Sequence, residues 1–104
     1  LDGGRLSIAA MGLGCAQGAF DLALKYAKVR KQFGRNIGKF QAIAFKIADM
    51  GMKIELARNM LYKACWLKQK NKPYGLESAM AKLYCSEIAK EVADEAVQIF
   101  GGYG

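Results

Sequence analysis

The residues best suited to chemistry are concentrated between Lys25 and Gln41, which reads K-Y-A-K-V-R-K-Q-F-G-R-N-I-G-K-F-Q. The window from Leu22 to Ala48 holds seven Lys or Arg residues and no Asp or Glu, while the rest of the chain has nine of each sign, so this one stretch carries the whole formal charge of +7. Charges of one sign held this close repel unless water screens them or an anion sits among them. Arg30 and Arg35 offer forked donors that match a phosphate. Phe33 and Phe40 add flat apolar faces that suit packing against a ring. Lys28, Arg30 and Lys31 also complement the negative end of a helix dipole, a structural role that alone could explain two of them. Lys25, Lys39 and Lys46 read as ordinary solvated lysines. Basic residues interleaved with aromatics would also suit nucleic acid. The basic positions, however, do not repeat along an extended groove, and the rest of the chain is balanced in charge.

Other chemistry is limited by composition. The chain of 104 residues has no His, which removes Ser-His-Asp and Cys-His catalysis, the usual zinc ligand and the Glu-x-x-His pairs of a di-iron bundle. No metal site is expected. Cys15, Cys65 and Cys85 are far apart, odd in number and in apolar surroundings, which reads as buried free thiols in a reducing compartment. Glu87, Glu91 and Glu95 recur every fourth residue beside Lys82 and Lys90, the pattern of a solvated helix face. Gln98 precedes Gly101 and Gly102 by one turn. The glycines read first as a helix stop, and second as a place where backbone can approach a ligand closely.

Three long helices must position these residues. Asp2 is the expected N-cap of the first. Leu6, Ala9, Leu13, Ala16, Phe20, Ala23 and Ala27 mark its buried face, and it should end at Gln32 or Phe33, with Gly34 as the stop. Arg35 to Gly38 is a short connection. Phe40, Ile43, Ile47, Met50, Ile54, Ala57, Leu61 and Ala64 then form a heptad seam on a second helix reaching about Lys70, roughly 45 Å long at ~1.5 Å per residue. Lys46, Lys53, Glu55, Lys63 and Lys68 or their neighbours should lie opposite that seam, with Glu55 and Arg58 able to pair. Asn71-Lys72-Pro73-Tyr74-Gly75 is the second turn. The third helix runs from about Leu76 to Phe100 with Leu76, Met80, Leu83, Ile88, Val92, Ala96 and Ile99 as its stripe, and Gly101 and Gly102 end it. No stretch of eighteen apolar residues suggests a membrane span. The fold class is all-α, the long antiparallel helices of a four-helix up-and-down bundle with three helices present. A chain lacking Met at its start and stopping in a glycine-rich turn reads as part of a longer protein. Three helices leave a seam open, which a fourth helix or another subunit would close.

Arg30-Lys31-Gln32-Phe33-Gly34, Phe40-Gln41, Ala48-Asp49-Met50, Glu55-Leu56-Ala57-Arg58 and Gln98-Ile99-Phe100-Gly101-Gly102-Tyr103-Gly104 occur here in order. Together with Leu1-Asp2-Gly3-Gly4-Arg5 at the start of the first helix, they make the whole chain resemble the C-terminal helical domain of the acyl-CoA dehydrogenases, in particular the short- and medium-chain-like members. That resemblance implies a flavoprotein of three domains, assembled as a dimer or tetramer, that α,β-desaturates acyl-CoA thioesters. It implies that Arg30 contacts the pyrophosphate of FAD with Gln32 and Phe33 beside it, that Gln41 helps hold the cofactor, and that Gln98, Ile99, Phe100, Gly101 and Gly102 bind its adenosine end across a subunit boundary. It further implies that Asp2, Gly3, Gly4 and Arg5 contact acyl-CoA.

Most members of the family place the catalytic glutamate in a Glu-Gly-Thr segment beyond the Gly-Gly-x-Gly turn, and a minority place it at the position of Gly4. Glycine there implies a base beyond residue 104, no catalytic residue within the chain and no activity for this domain by itself. Electron-transferring flavoprotein is the implied redox partner, with no nucleic acid involved. The implied location is bacterial cytoplasm or the mitochondrial matrix. A basic helical module binding nucleic acid or an acidic partner, and an acyl-CoA oxidase relative, are the alternatives.

Overall fold

The computed structural model describes the backbone of residues 2–33 and 37–103, and the side chains of residues 2–29 and 41–101. It contains three α-helices, α1 Asp2–Phe33, α2 Ile37–Gln69 and α3 Gly75–Tyr103, in a rod of 54 × 17 × 16 Å. The up-down-up path leaves α1 and α3 parallel and α2 antiparallel to both. Cross-helix neighbours set the register. An ideal Cβ on Gly75 would lie 3.6 Å from Asp2 Oδ2, one on Gly12 would lie 3.1 Å from the Cys85 carbonyl oxygen, and the Tyr26 and Phe100 rings pair at 4.8 Å.

The α1 face expected from the spacing is the one that is buried: Leu6, Ala9, Leu13, Ala16, Ala23 and Ala27 are in the core, with Phe20 packed against it. The α2 seam is likewise buried at Ile43, Met50, Ile54, Ala57, Leu61 and Ala64, and Ile47 is partly buried. Phe40 lies outside the described side chains. The contact between α1 and α3 is the most extensive of the three interfaces. The two backbones approach closely at Gly12, where an ideal Cβ would lie 3.1 Å from the Cys85 carbonyl oxygen.

The structure corrects the expected α3 stripe. Leu76 and Leu83 are 67% and 62% exposed, and the buried line begins instead with Ser78, Ala81 and Cys85 before joining Ile88, Val92, Ala96 and Ile99. Ranking positions by apolar size chose the leucines. The close approach of α1 instead selects the smallest side chains, and Ser78 is tolerated there because its hydroxyl donates to the Gly75 carbonyl at 2.9 Å.

The helix ends also differ from expectation. Asp2 lies within the first turn of α1, and its carboxylate faces Arg5 at 3.4 Å. Gly38 belongs to the first turn of α2, so the connection is shorter than expected. α3 continues through Gly101 and Gly102 to Tyr103. Glycine costs a helix only about 1 kcal/mol relative to alanine, and the turn before it is pinned by buried Ile99 and by the ring of Phe100 against Tyr26. The turn after α2 is set by Asn71 as well as Pro73. Asn71 has φ 57°, its N–H donates to the Lys68 carbonyl at 3.0 Å, and the Lys72 N–H donates to the Leu67 carbonyl at 2.9 Å. This pair of bonds caps the last carbonyls of α2.

Cys85 is buried, which pushes its thiol pKa up, but Cys15 and Cys65 are exposed rather than buried, and all three are free. Within residues 2–29 of α1, an 18-residue window with a mean hydropathy of 1.3 is long and apolar enough by length and composition to cross a membrane, in contrast to the expectation from apolar runs. Part of that apolar character is the buried Ala-Leu face. The rest is a second row, Ile8, Met11, Leu22 and Val29, left exposed on the outer side, where an open seam is expected.

Gly12 and Gly14 provide a test of the close approach. Alanine at either position gains helix propensity worth about 0.5–1 kcal/mol. At Gly14 the new methyl meets nothing within 4 Å, whereas at Gly12 it meets a backbone carbonyl at 3.1 Å that cannot rotate away. Overpacking of this kind costs about 1–3 kcal/mol, so Gly12→Ala should lower the urea midpoint and Gly14→Ala should raise it. Equal stabilisation by both variants would refute the tight α1–α3 contact.

Candidate functional site

Because α1 and α3 are parallel and α2 is antiparallel, the last turns of α1, the first turns of α2 and the last turns of α3 share one end of the rod. The basic stretch and the Gln98–Gly102 segment, separated by more than half the sequence, therefore meet there. The edge-to-face pair of Tyr26 and Phe100, with planes at 75°, ties α1 to α3. Lys46 ties α2 to α3. Its Nζ donates to Gln98 Oε1 at 2.9 Å and lies 3.2 Å from Glu95 Oε2. That carboxylate oxygen is shut off from water and receives no well-directed hydrogen bond, so the nearby ammonium is what compensates its charge. Lys46 is thus not the ordinary solvated lysine expected from sequence.

A second lysine one heptad along makes a similar link. Lys53 Nζ bonds Asp49 and Glu91, both at 2.9 Å. The bond to Asp49 first, then that to Glu91, raises the Lys53 pKa well above its ordinary value against the opposing effect of burial. Glu91 and Glu95 are therefore interhelical partners rather than merely a solvated row. On the α1 side, Arg58 bonds Glu55 at 3.1 Å, as its spacing suggested. It also donates to Gln17 Oε1, and Gln17 donates on to Asp21 at 2.9 Å.

Of the expected cofactor residues, Arg30, Gln32 and Phe33 form the last turn of α1 and Gly102 the last turn of α3, with side chains outside the described set. Gln41 and Gln98 are exposed at this end. Ile99 is only 1% exposed and packs in the core, so its side chain is committed to the fold. Phe100 is at the surface, held by Tyr26. Gly101 has nothing within 4 Å of where a Cβ would stand. The donor chemistry fits an anionic dinucleotide such as FAD: arginine, lysine and amide groups, a surface aromatic and a glycine without a side chain in the way, with no acidic residue between Leu22 and Ala48.

The expected substrate residues lie at the other end of the 54 Å rod. Asp2 and Arg5 pair there, and Lys68 Nζ stands 3.5 Å from the place of a Cβ on Gly3, while Gly4 faces open space. An open groove runs past Asp2, Lys68, Asn71, Lys72, Tyr74 and Gly75, and the Lys72 ammonium sits 5.4 Å from the centroid of the Trp66 ring. Sequence reasoning missed the lysine links and this groove. The links had a signal: Lys46 and Lys53 are one heptad apart, and Glu91 and Glu95 flank the α3 seam, the positions from which charges bridge packed helices.

Three long helices with one strongly basic end define an all-α bundle domain. The chain belongs to the acyl-CoA dehydrogenase family: residues 1–104 match the model described as "Acyl-CoA dehydrogenase, C-terminal domain". It is 58% identical over 104 residues to the probable acyl-CoA dehydrogenase YngJ of Bacillus subtilis, matching 100% of this chain and 27% of that protein. It is 55% identical to the caffeyl-CoA reductase-Etf complex subunit CarC of Acetobacterium woodii, again over 100% of this chain and 27% of that one. The structure of butyryl-CoA dehydrogenase from Megasphaera elsdenii superposes with a TM-score of 0.89 at 53% identity, covering 98% of this chain and 27% of that one. The chain thus spans about a quarter of the length of the curated relatives it matches.

The Lys53 link carries a prediction about pH. A lysine whose folded-state pKa is raised contributes stability that is fully present below the unfolded value of about 10.4, and that contribution is lost as pH rises through the folded value. In an NMR titration of 13C-methylated lysines, Lys53 should titrate above the other lysines. Asp49→Asn with Glu91→Gln should return it to the common range. Titration alongside exposed lysines in the unaltered protein would contradict the two ion pairs.

Proposed function

We propose that this domain helps bind FAD and acyl-CoA in an FAD-dependent acyl-CoA dehydrogenase. The carrying observation is that the fold brings the acid-free basic stretch and the Gln98–Gly101 surface to one end, joined by Lys46 and by the Tyr26–Phe100 pair. On this reading, Arg30 holds the pyrophosphate by a charge-assisted contact, with Gln32 and Phe33 beside it and Gln41 assisting. Gln98, Phe100 and the backbone of 99–102 form the adenosine seat. Bound there, FAD supplies the hydride acceptor for oxidation of the α,β carbon–carbon bond of the thioester.

Asp2, Gly3, Gly4 and Arg5 meet the acyl-CoA at the opposite end, where the groove beside Lys68 and Lys72 suits an anionic tail. Because one domain is too long for both its ends to serve one small site, the two ends serve different active sites of an oligomer. The exposed apolar row on α1, together with Phe45, Met52, Leu56 and Trp66 on α2, supports closure by a further helix or a neighbouring subunit in a dimer or tetramer.

Glycine at position 4, where a minority of the family place the catalytic glutamate, supports a catalytic base supplied elsewhere in the full-length protein. Electron-transferring flavoprotein as redox partner is supported by the name of the Acetobacterium woodii relative. The bacterial relatives support a cytoplasmic location, and a mouse mitochondrial relative shows the other setting.

In the full-length protein, Arg30→Ala should weaken FAD retention by about 1.5–3 kcal/mol, the value of a hydrogen bond to a charged group, read from flavin absorbance after dialysis. Unchanged flavin affinity would remove Arg30 from the clasp. A salt-sensitive gel shift with DNA or RNA, in place of flavin binding, would favour the nucleic-acid alternative.

A further inference from the structure

Resting on that reading of the site, we propose that Lys46 is a positioning residue that fixes which end of the Gln98 amide faces the cofactor. A glutamine side chain can present either its carbonyl oxygen or its NH2 group to a ligand. Here the orientation is set, because Lys46 Nζ donates to Gln98 Oε1 at 2.9 Å, and an NH2 group turned toward the ammonium would meet it donor to donor. The exposed side chain keeps its carbonyl on the lysine and turns its NH2 group away from it. The ligand atom it meets is therefore an acceptor: a ring nitrogen, a ribose oxygen or a phosphate oxygen of the adenosine diphosphate moiety. Without Lys46 the amide is free to turn over and set its own carbonyl against that acceptor, which is repulsive.

Lys46 is itself held from a second side. Its ammonium lies 3.2 Å from Glu95 Oε2, an oxygen without access to water or a directed hydrogen bond. Glu95 stands three residues before Gln98 on the same helix, so one ammonium is fixed by two groups on adjacent turns of α3. Moving it toward solvent would leave a buried carboxylate oxygen uncompensated. This anchoring is what lets a surface lysine hold one position.

The same geometry separates a positioning role from a structural one. In the full-length protein, Lys46→Met removes the lock but also strands the Glu95 oxygen, whereas Lys46→Met combined with Glu95→Gln removes both the lock and the stranded charge. The double variant should regain unaltered thermal stability yet bind FAD about fivefold to tenfold more weakly in a flavin-fluorescence titration, the loss expected for one hydrogen bond. Adding Gln98→Ala to that double variant should cost nothing further, and Lys46→Arg should restore most of the affinity. If the double variant binds FAD normally, or if Gln98→Ala has its full effect in that background, Lys46 does not act through Gln98. If neither Gln98→Ala nor Arg30→Ala alters flavin affinity, the reading of the site fails with it; if Gln98→Ala weakens binding and the lysine variants do not, only this inference fails.

Discussion

The close parallel packing of α1 on α3 is the constraint on which the rest of this structure depends. Small side chains are buried on both helices, Ala9, Ala16, Ala23 and Ala27 on one and Ala81 and Ala96 on the other, and Gly12 is set against the Cys85 carbonyl. Small residues bury little area each, so the stabilisation comes from near approach along the whole length and from the larger Ile88, Val92 and Ile99 that fill the remaining space. Their more important effect is on register. A slip of one turn would separate Tyr26 from Phe100 and would take Gln98 away from the basic end of α1.

On that framework α2 is fixed by charge as well as by its apolar seam. Lys46 and Lys53 reach to α3 and Arg58 reaches to α1, so the antiparallel helix is specified from both flanks. Such partly exposed pairs contribute modestly to stability. They select one alignment among several that the heptad seam alone would accept. At Lys46 the same device coincides with the proposed cofactor seat, so a residue that aligns helices also orients a side chain facing the ligand.

Much of this was legible in the residues. The α1 and α2 faces followed from heptad spacing, because there the buried positions are also the apolar ones. The α3 stripe was misplaced in its first half because proximity, rather than apolarity, decided which residues face inward: Ser78 and Ala81 are buried while Leu76 and Leu83 are not. The end of α3 was misplaced because glycine weakens a helix without forbidding it. The concentration of charge near Arg30 was plain from composition, but its meeting with Gln98 needed the register of three helices. The opposite placement of the Asp2–Arg5 segment follows from the expected up-down-up path, which sets the start of α1 and the end of α3 at opposite ends of the rod.

The central claim is that the two ends of this rod address different ligands. Hydrogen–deuterium exchange on the full-length protein, with FAD removed and restored and then with an acyl-CoA analogue added, tests it directly. Restoring FAD should protect amides in residues 25–46 and 95–103 most strongly, and the analogue should then add protection around residues 2–5 and 68–75. FAD protection centred on residues 2–5, or none in either part of the basic end, would contradict it.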